Sequence, residues 1–152
     1  MPSLEARVPP PAVVLVIVLF MWVVARATPS LHFDVPGHNW LAIVLISLGF
    51  LTGTSGVVTF LRAKTTVDPT KPRASSLVTW GVYAISRNPM YLGGLIMLLG
   101  WAIFLLNALA FVFLPVYVLY INRFQIAPEE RALTSLFGKT YVAYQMRARR
   151  WL

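Results

Sequence analysis

The stretch of residues 88–122, NPMYLGGLIMLLGWAIFLLNALAFVFLPVYVLYIN, decides the fold because none of its 35 residues is charged. A membrane-spanning helix needs about 20 apolar residues, so this run is too long for one crossing and slightly short for two crossings with a turn. It therefore predicts a tight hairpin of two short or tilted helices, residues 89–106 and 108–127, with the turn at Asn107.

The residues that follow the hairpin change from apolar to charged within a few positions. Arg123 falls at the membrane edge or just inside it, where a charge is costly and usually functional. Pro128, Glu129 and Glu130 predict the start of a new helix, because proline suits the first helical position and acids complement the positive end of the helix dipole. Gly138 predicts the end of that helix.

Residues 139–152 mix aromatic and basic side chains. Such a mixture is typical of a helix that lies at the level of the lipid headgroups, so we expect an interfacial helical segment at the C-terminus. The residues concerned are Tyr141, Tyr144, Arg147, Arg149, Arg150 and Trp151.

Upstream of the hairpin, residues 40–61 form a second uncharged run, whose 22 residues suffice for one crossing. Trp40 suits an anchor at the membrane interface. Gly49, Gly53 and Gly56 lie on one side of the predicted helix, where small residues allow a neighbouring helix to approach closely. The same face can also serve an oligomer.

The first apolar run covers residues 11–25 and ends at Arg26. We expect a retained membrane helix here, because the region before the run is only weakly basic. Cleavage as a signal peptide is the alternative, since Ala25 and Ala27 flank Arg26 in the small-x-small pattern of a cleavage site.

Basic residues are distributed unevenly among the predicted loops. Five Lys or Arg lie in residues 62–87 and six in residues 123–152, whereas residues 26–39 hold one. The positive-inside rule therefore places the first two segments and both termini in the cytoplasm. We predict an all-α, multi-pass integral membrane protein with about four transmembrane helices. Residues 1–64 form the two N-terminal helices and residues 65–152 form a functional core.

The composition agrees with one compact membrane protein. Of the 152 residues, 58% are hydrophobic and only 12% are charged, against roughly a quarter charged in a soluble domain. The net charge of +8 fits anionic lipid headgroups and topology, and no nucleic-acid-binding motif accompanies it. The absence of cysteine excludes disulfides, thiolate metal sites and a cysteine nucleophile.

This topology brings two polar segments, residues 87–91 (RNPMY) and residues 123–130, to the same cytosolic face. The uncharged hairpin between them returns the chain to the side that it left. We expect a polar cup there, floored by helix ends. Such a cup can take a soluble cofactor from above and a lipid-soluble substrate from the side.

The polar residues of this cup also have structural interpretations. Asn88 before Pro89 suits a helix start, with a side-chain cap and a residue already fixed in helical φ. Tyr83 and Tyr91 suit interfacial aromatics, and Arg87 suits a topology charge.

Several other chemistries lack the residues that they need. The sequence has no His, Asp and Glu cluster with metal-ligand spacing and no Ser-His-acid set on the cytosolic face, so we expect no metal site. It also lacks the glycine fingerprint of a Rossmann domain, which excludes a soluble-type methyltransferase or dehydrogenase domain.

Four features occur in a fixed order around the hairpin. They are LVTWGVY at 77–83, RNPMYLG at 87–93, the acid pair at 129–130, and Phe137-Gly138 followed by Tyr141 and Tyr144. This ordered set resembles the isoprenylcysteine carboxyl methyltransferase family, whose bacterial members and related phospholipid methyltransferases share the layout. The resemblance covers about residues 65–152.

The resemblance implies a membrane methyltransferase that depends on S-adenosylmethionine, and its bacterial members imply a location in the bacterial inner membrane. Arg123 and Arg87 are the candidates for orienting an anionic acceptor. By the same resemblance, the residues that line the cofactor site are Leu77, Val78, Tyr83, Asn88, Pro89, Tyr91 and Glu129.

Two positions depart from the family pattern. The usual histidine of the arginine-histidine-proline motif is Asn88 here, which can still donate a hydrogen bond. Eukaryotic members hold the substrate carboxylate with an arginine four residues before the glutamate. That position is Gln125 in this chain, and Arg123 is the nearest arginine.

These features support methyl transfer from S-adenosylmethionine to a small or lipid-soluble acceptor, which can be a carboxylate, a thiol or an amine. The alternative is a non-enzymatic membrane module whose basic tail binds anionic lipid or a partner. A third possibility is a reductase-like relative, because membrane sterol reductases have a similar helix layout.

Overall fold

The computed structural model describes residues 8–63 and 76–152, and these ranges contain helices and turns without a β-strand. Short 3₁₀ turns occupy Pro29–Leu31 and Gly81–Ala84, and Ala108–Phe137 is helical over 30 residues without a break. The longer helices are α1 (Pro10–Ala27), α2 (His38–Arg62), α3 (Pro89–Leu105), α4 (Ala108–Phe137) and α5 (Lys139–Arg147).

The length and polarity of these helices fit a membrane protein. Helices α1, α2 and α4 are each long and apolar enough to cross a bilayer, and the apolar helix α3 is slightly shorter. Large apolar side chains remain exposed on the outer faces of α1, α2 and α4, where lipid rather than water can cover them. The predicted all-α membrane fold is confirmed.

The turn between α3 and α4 lies at the predicted place. Leu106 adopts a left-handed backbone with φ of 47°, and Asn107 follows it with a fully buried side chain. The Asn107 amide donates to the Thr28 carbonyl over 2.9 Å and accepts from the Leu109 N–H over 3.0 Å. This residue therefore joins the hairpin turn to the end of α1.

The small-residue face of α2 packs directly on α3. A Cβ atom added to Gly93 would lie 2.5 Å from the Gly49 carbonyl oxygen and 2.6 Å from the Gly53 nitrogen, so the two backbones touch. A Cβ on Gly56 would lie 2.8 Å from Met90 Cγ. The packing interpretation of these glycines is confirmed, and α3 covers the face that could otherwise serve an oligomer.

Helix α1 packs on α3 and α4 through one buried stripe, and it scarcely contacts α2. Both α1 and α2 therefore lie against α3 with a cleft between them. The buried residues of α1 are Val13, Ile17, Met21 and Ala25.

The prediction that Pro128 starts a new helix is confirmed in part: an α-helical stretch begins at Ala127 and carries Pro128 and both acids in its first turn, but the backbone does not break before it. Residues Ala127–Phe137 continue the helix formed by Phe113–Ile121 through a π-helical turn at Asn122–Ile126. Proline lacks an N–H and its ring crowds the preceding turn, and this π turn directly before Pro128 accommodates both effects.

The tail differs in part from the predicted interfacial helix. Gly138 ends α4 with φ of 51°, as predicted, but the tail is helical only over Lys139–Arg147. Tyr141 and Tyr144 are buried against Val78 and Tyr83 and do not face lipid headgroups. Burial of their rings in this apolar cluster replaces the interfacial role that the composition suggested.

Candidate functional site

The two polar segments meet as the sequence predicts. The Tyr91 hydroxyl at the start of α3 donates to Glu129 Oε1 of α4 over 2.5 Å. Close by, Arg87 Nη1 lies 3.2 Å from Glu130 Oε1 in an ion pair of two largely buried side chains. One carboxylate therefore pairs with a phenol and the other with a guanidinium.

The start of α3 lacks the side-chain cap that the sequence suggested. Asn88 precedes the helix, but its side chain makes no capping hydrogen bond. Instead, Asn88 Nδ2 donates to the Arg150 carbonyl over 2.8 Å, while the Asn88 N–H donates to Ser86 Oγ over 3.2 Å. The cap interpretation is wrong, because the Asn88 side chain does not bind the first-turn N–H groups of α3, which have no acceptor within their own helix.

Tyr83 contributes a buried hydroxyl to the same region, so its interpretation as an interfacial aromatic is also wrong. Only 4% of the residue is exposed, and its hydroxyl has no hydrogen-bond partner among the residues that the structure describes. A Cβ on Gly56 would lie 3.3 Å from both Tyr83 Oη and Pro89 Cγ, which places this hydroxyl beside the start of α3. Burial raises the pKa of Tyr83, with smaller contributions from Tyr144 and Glu129, so the phenol stays neutral.

An apolar cavity of about 800 Å³ adjoins the Tyr91–Glu129 pair. It fills the cleft between α1 and α2 above α3, and its polar lining residues include Gln125 and Glu129. Leu15 and Phe50 line the cavity and are 68% and 63% exposed on the outer surface. The cavity therefore opens sideways between two lipid-facing helices.

Tyr117 is a cavity residue that the sequence analysis missed. Its side chain is almost fully buried, and its hydroxyl donates to the Tyr91 carbonyl over 3.1 Å. A Cβ on Gly94 would lie 2.5 Å from that hydroxyl, so only glycine leaves room for it. The sequence did carry a signal for this residue: a tyrosine inside an uncharged run must find a hydrogen-bond partner for its hydroxyl when it is buried.

Gln125 is buried and faces the cavity. Its Nε2 donates to the Val8 carbonyl over 2.8 Å. The side chain thus binds the segment before α1, and Val8 and Pro9 line the cavity as well.

The remaining predicted cofactor residues fall into two groups. Tyr83, Pro89, Tyr91 and Glu129 lie around the start of α3. Leu77 and Val78 belong instead to the adjoining cluster with Tyr83, Tyr141 and Tyr144, behind the site.

The two candidate acceptor-orienting arginines lie off the cavity. Arg87 is engaged with Glu130, whereas Arg123 is exposed and its guanidinium lies 5.7 Å from the centre of the Phe124 ring. The structure therefore brings neither arginine to the cavity wall.

Comparison with known proteins gives matches to membrane methyltransferases. The model of the phospholipid methyltransferase family matches residues 38–140. The protein-S-isoprenylcysteine O-methyltransferase B of Arabidopsis thaliana is 32% identical over 114 residues, which are 72% of this chain. An uncharacterized protein of Haemophilus influenzae is 48% identical over 63 residues, which are 41% of this chain and all of that protein.

The matched region spans only 58% of the length of the plant enzyme. The family match, however, covers well over half of the chain and includes α2, the hairpin and the acid pair. It confirms the resemblance that the ordered motifs gave. This integral membrane protein belongs to the phospholipid methyltransferase family.

Proposed function

We propose that this protein transfers a methyl group from S-adenosylmethionine to a lipid-soluble acceptor at the cytosolic face of the bacterial inner membrane. The observation that carries the proposal is the position of Glu129. Its carboxylate binds Tyr91 at the polar helix start and also lines the apolar cavity that opens between α1 and α2. A polar donor site and a lipid-accessible acceptor path thus meet at one residue.

The polar groups at the start of α3 suit the functional groups of S-adenosylmethionine. Glu129 can accept hydrogen bonds from ribose hydroxyl or amino groups, and the Tyr83 hydroxyl, which has no partner within residues 8–63 and 76–152, can donate one. The first-turn N–H groups after Asn88 and Pro89 suit a carboxylate, because a helix N-terminus is positive. Leu77 and Val78 would support the site from behind through Tyr83.

The proposed methyl transfer requires mainly that the reactants be aligned and that water be excluded from the site. When bound there, S-adenosylmethionine would supply an electrophilic methyl group on its sulfonium, and S-adenosylhomocysteine would leave as the acceptor takes up that methyl group. No covalent enzyme nucleophile is required, so the contribution of the chain is to orient the reactants and exclude water. The apolar walls of the cavity fit that task.

The residue at position 125 bears on the choice among carboxylate, thiol and amine acceptors. The name of the plant relative indicates O-methylation of an S-isoprenylcysteine. In this chain, the position of the arginine that binds that carboxylate in eukaryotic members is Gln125, which is neutral and binds Val8. We infer that recognition of the acceptor rests mainly on its apolar part.

Binding of the methyl donor is the direct test. Protein purified in detergent is expected to bind S-adenosylmethionine in isothermal titration calorimetry and to release less heat with S-adenosylhomocysteine already bound. Absence of binding in several detergents that preserve helicity would overturn the proposal.

The acceptor can be classified by labelling. Membranes that contain the protein are incubated with methyl-labelled S-adenosylmethionine, and the lipid extract is treated with base. A methyl ester loses its label as methanol, whereas a methylated amine or thiol retains it. Label that partitions only into water would contradict a lipid-soluble acceptor.

A further inference from the structure

The five residues after α5, residues 148–152, form an extended segment that lies along the start of α3; we refer to it as the C-terminal strap. Its backbone accepts two hydrogen bonds, from the Arg87 N–H to the Arg149 carbonyl over 2.8 Å and from Asn88 Nδ2 to the Arg150 carbonyl over 2.8 Å. The strap therefore contacts the two residues that lead into α3.

Side chains fasten the same strap to α4. Arg150 donates to both carboxylate oxygens of Glu130, over 3.1 and 2.6 Å, and Trp151 Nε1 donates to Asn122 Oδ1 over 3.1 Å. A two-point contact between arginine and carboxylate fixes orientation as well as distance. The strap thus joins both polar segments of the candidate site.

This arrangement determines what Asn88 does. Asparagine is among the best N-cap residues, and its usual role is to accept a hydrogen bond from a first-turn N–H of its own helix. Here the strap binds the Asn88 amide, and no capping bond forms. Without the strap, the side chain is free to cap α3 and to cover the N–H groups that the methyl donor needs.

We propose that the C-terminal strap is a positioning element of the methyl-donor site, because its Arg150 carbonyl holds the Asn88 side chain away from the N-terminus of α3. A second observation indicates that a ligand belongs at this helix start: the Tyr83 hydroxyl beside Pro89 is buried and has no partner among the described residues. The inference rests on the proposed function and assigns a role to residues outside the cofactor motifs.

The test compares removal of the strap in two backgrounds. Deletion of residues 148–152 is expected to weaken S-adenosylmethionine binding about fivefold or more, the factor that corresponds to one N-cap interaction. In an Asn88→Ala background the same deletion is expected to change the dissociation constant less than about twofold, since alanine cannot cap the helix. Calorimetry in detergent measures all four dissociation constants.

Point variants keep the test decisive if the deletion impairs folding. Arg150→Ala removes the fastening to Glu130 and is expected to weaken binding, and Arg150→Lys is expected to restore part of it. Arg149→Ala is the matched control, because that exposed residue contacts Arg87 only through its backbone carbonyl.

The outcomes separate this inference from the proposed function. Failure of the unaltered protein to bind the donor overturns the proposed function. Normal binding by the deletion and Arg150→Ala variants overturns the role of the strap. An equal loss with and without Asn88→Ala shows that the strap only stabilises the fold, which contradicts action through Asn88.

Discussion

Replacement of Glu129 by alanine is expected to weaken S-adenosylmethionine binding about 100-fold. A hydrogen bond to a charged group contributes roughly 1.5–3 kcal/mol, and each 1.4 kcal/mol is a factor of ten in affinity. The alanine variant also leaves the Tyr91 hydroxyl without the carboxylate that it contacts in the structure. The lost contact to S-adenosylmethionine and the lost orientation of Tyr91 are therefore both expected to lower the affinity.

Two conservative variants separate the contribution of the Glu129 charge from that of the Tyr91 hydroxyl. Glu129→Gln retains an acceptor for Tyr91 but removes the charge, so we expect a loss of about tenfold, consistent with a weaker neutral hydrogen bond. Tyr91→Phe keeps the carboxylate and removes only its partner, and a smaller loss is expected. Ser135→Ala serves as the control, because this exposed residue of α4 bonds only locally to the Ala132 carbonyl.

Calorimetry gives the dissociation constants, and circular dichroism confirms that each variant remains helical. A Glu129→Ala protein that binds the donor as tightly as the unaltered chain would show that this carboxylate is not part of the donor site. In that case the assignment at the start of α3 would have to be abandoned as well.

The parts of the fold that were predictable depend on lengths and on charge along the chain. An uncharged run of 35 residues is long enough to cross a bilayer and return to the side from which it started. The length of the run therefore predicts that its flanking segments, Arg87–Tyr91 and Arg123–Glu130, meet on one side. The turn at Asn107 and the helix end at Gly138 followed from local chemistry in the same way. These inferences needed no knowledge of which helix face points inward.

The parts that were not predictable depend on contacts between distant residues or on the facing of one helix. Gln125 binds Val8, 117 residues away along the chain, and Asn88 binds Arg150, 62 residues away. The π turn at Asn122–Ile126 holds one residue more than an α-helical turn. The extra residue changes which side of α4 the neighbouring side chains face. Spacing in an ordinary helix therefore does not reveal that Gln125 faces the cavity while Arg123 is exposed.

The packing of α2 on α3 gives the second large prediction, in which Gly93→Ala destabilises the protein by about 3 kcal/mol. The added methyl group would meet the Gly49 carbonyl oxygen and the Gly53 backbone, and neither can move like the end of a flexible side chain. Overpacking typically costs about 1–3 kcal/mol, and here the helices themselves must separate. Van der Waals packing is a principal force between membrane helices. Separation of α2 from α3 would therefore weaken this attraction along their whole contact.

Gly53→Ala provides a matched control that should have the opposite sign. A Cβ on Gly53 would have only the Met90 carbonyl oxygen near it, at an ordinary 3.9 Å. Alanine favours the helix over glycine by about 0.5–1 kcal/mol, so this variant is expected to be as stable as the unaltered protein or slightly more stable. Thermal unfolding in detergent compares the two variants. Equal melting temperatures would mean that α2 and α3 do not meet at Gly93, and the cavity that both helices line would then lack its observed shape.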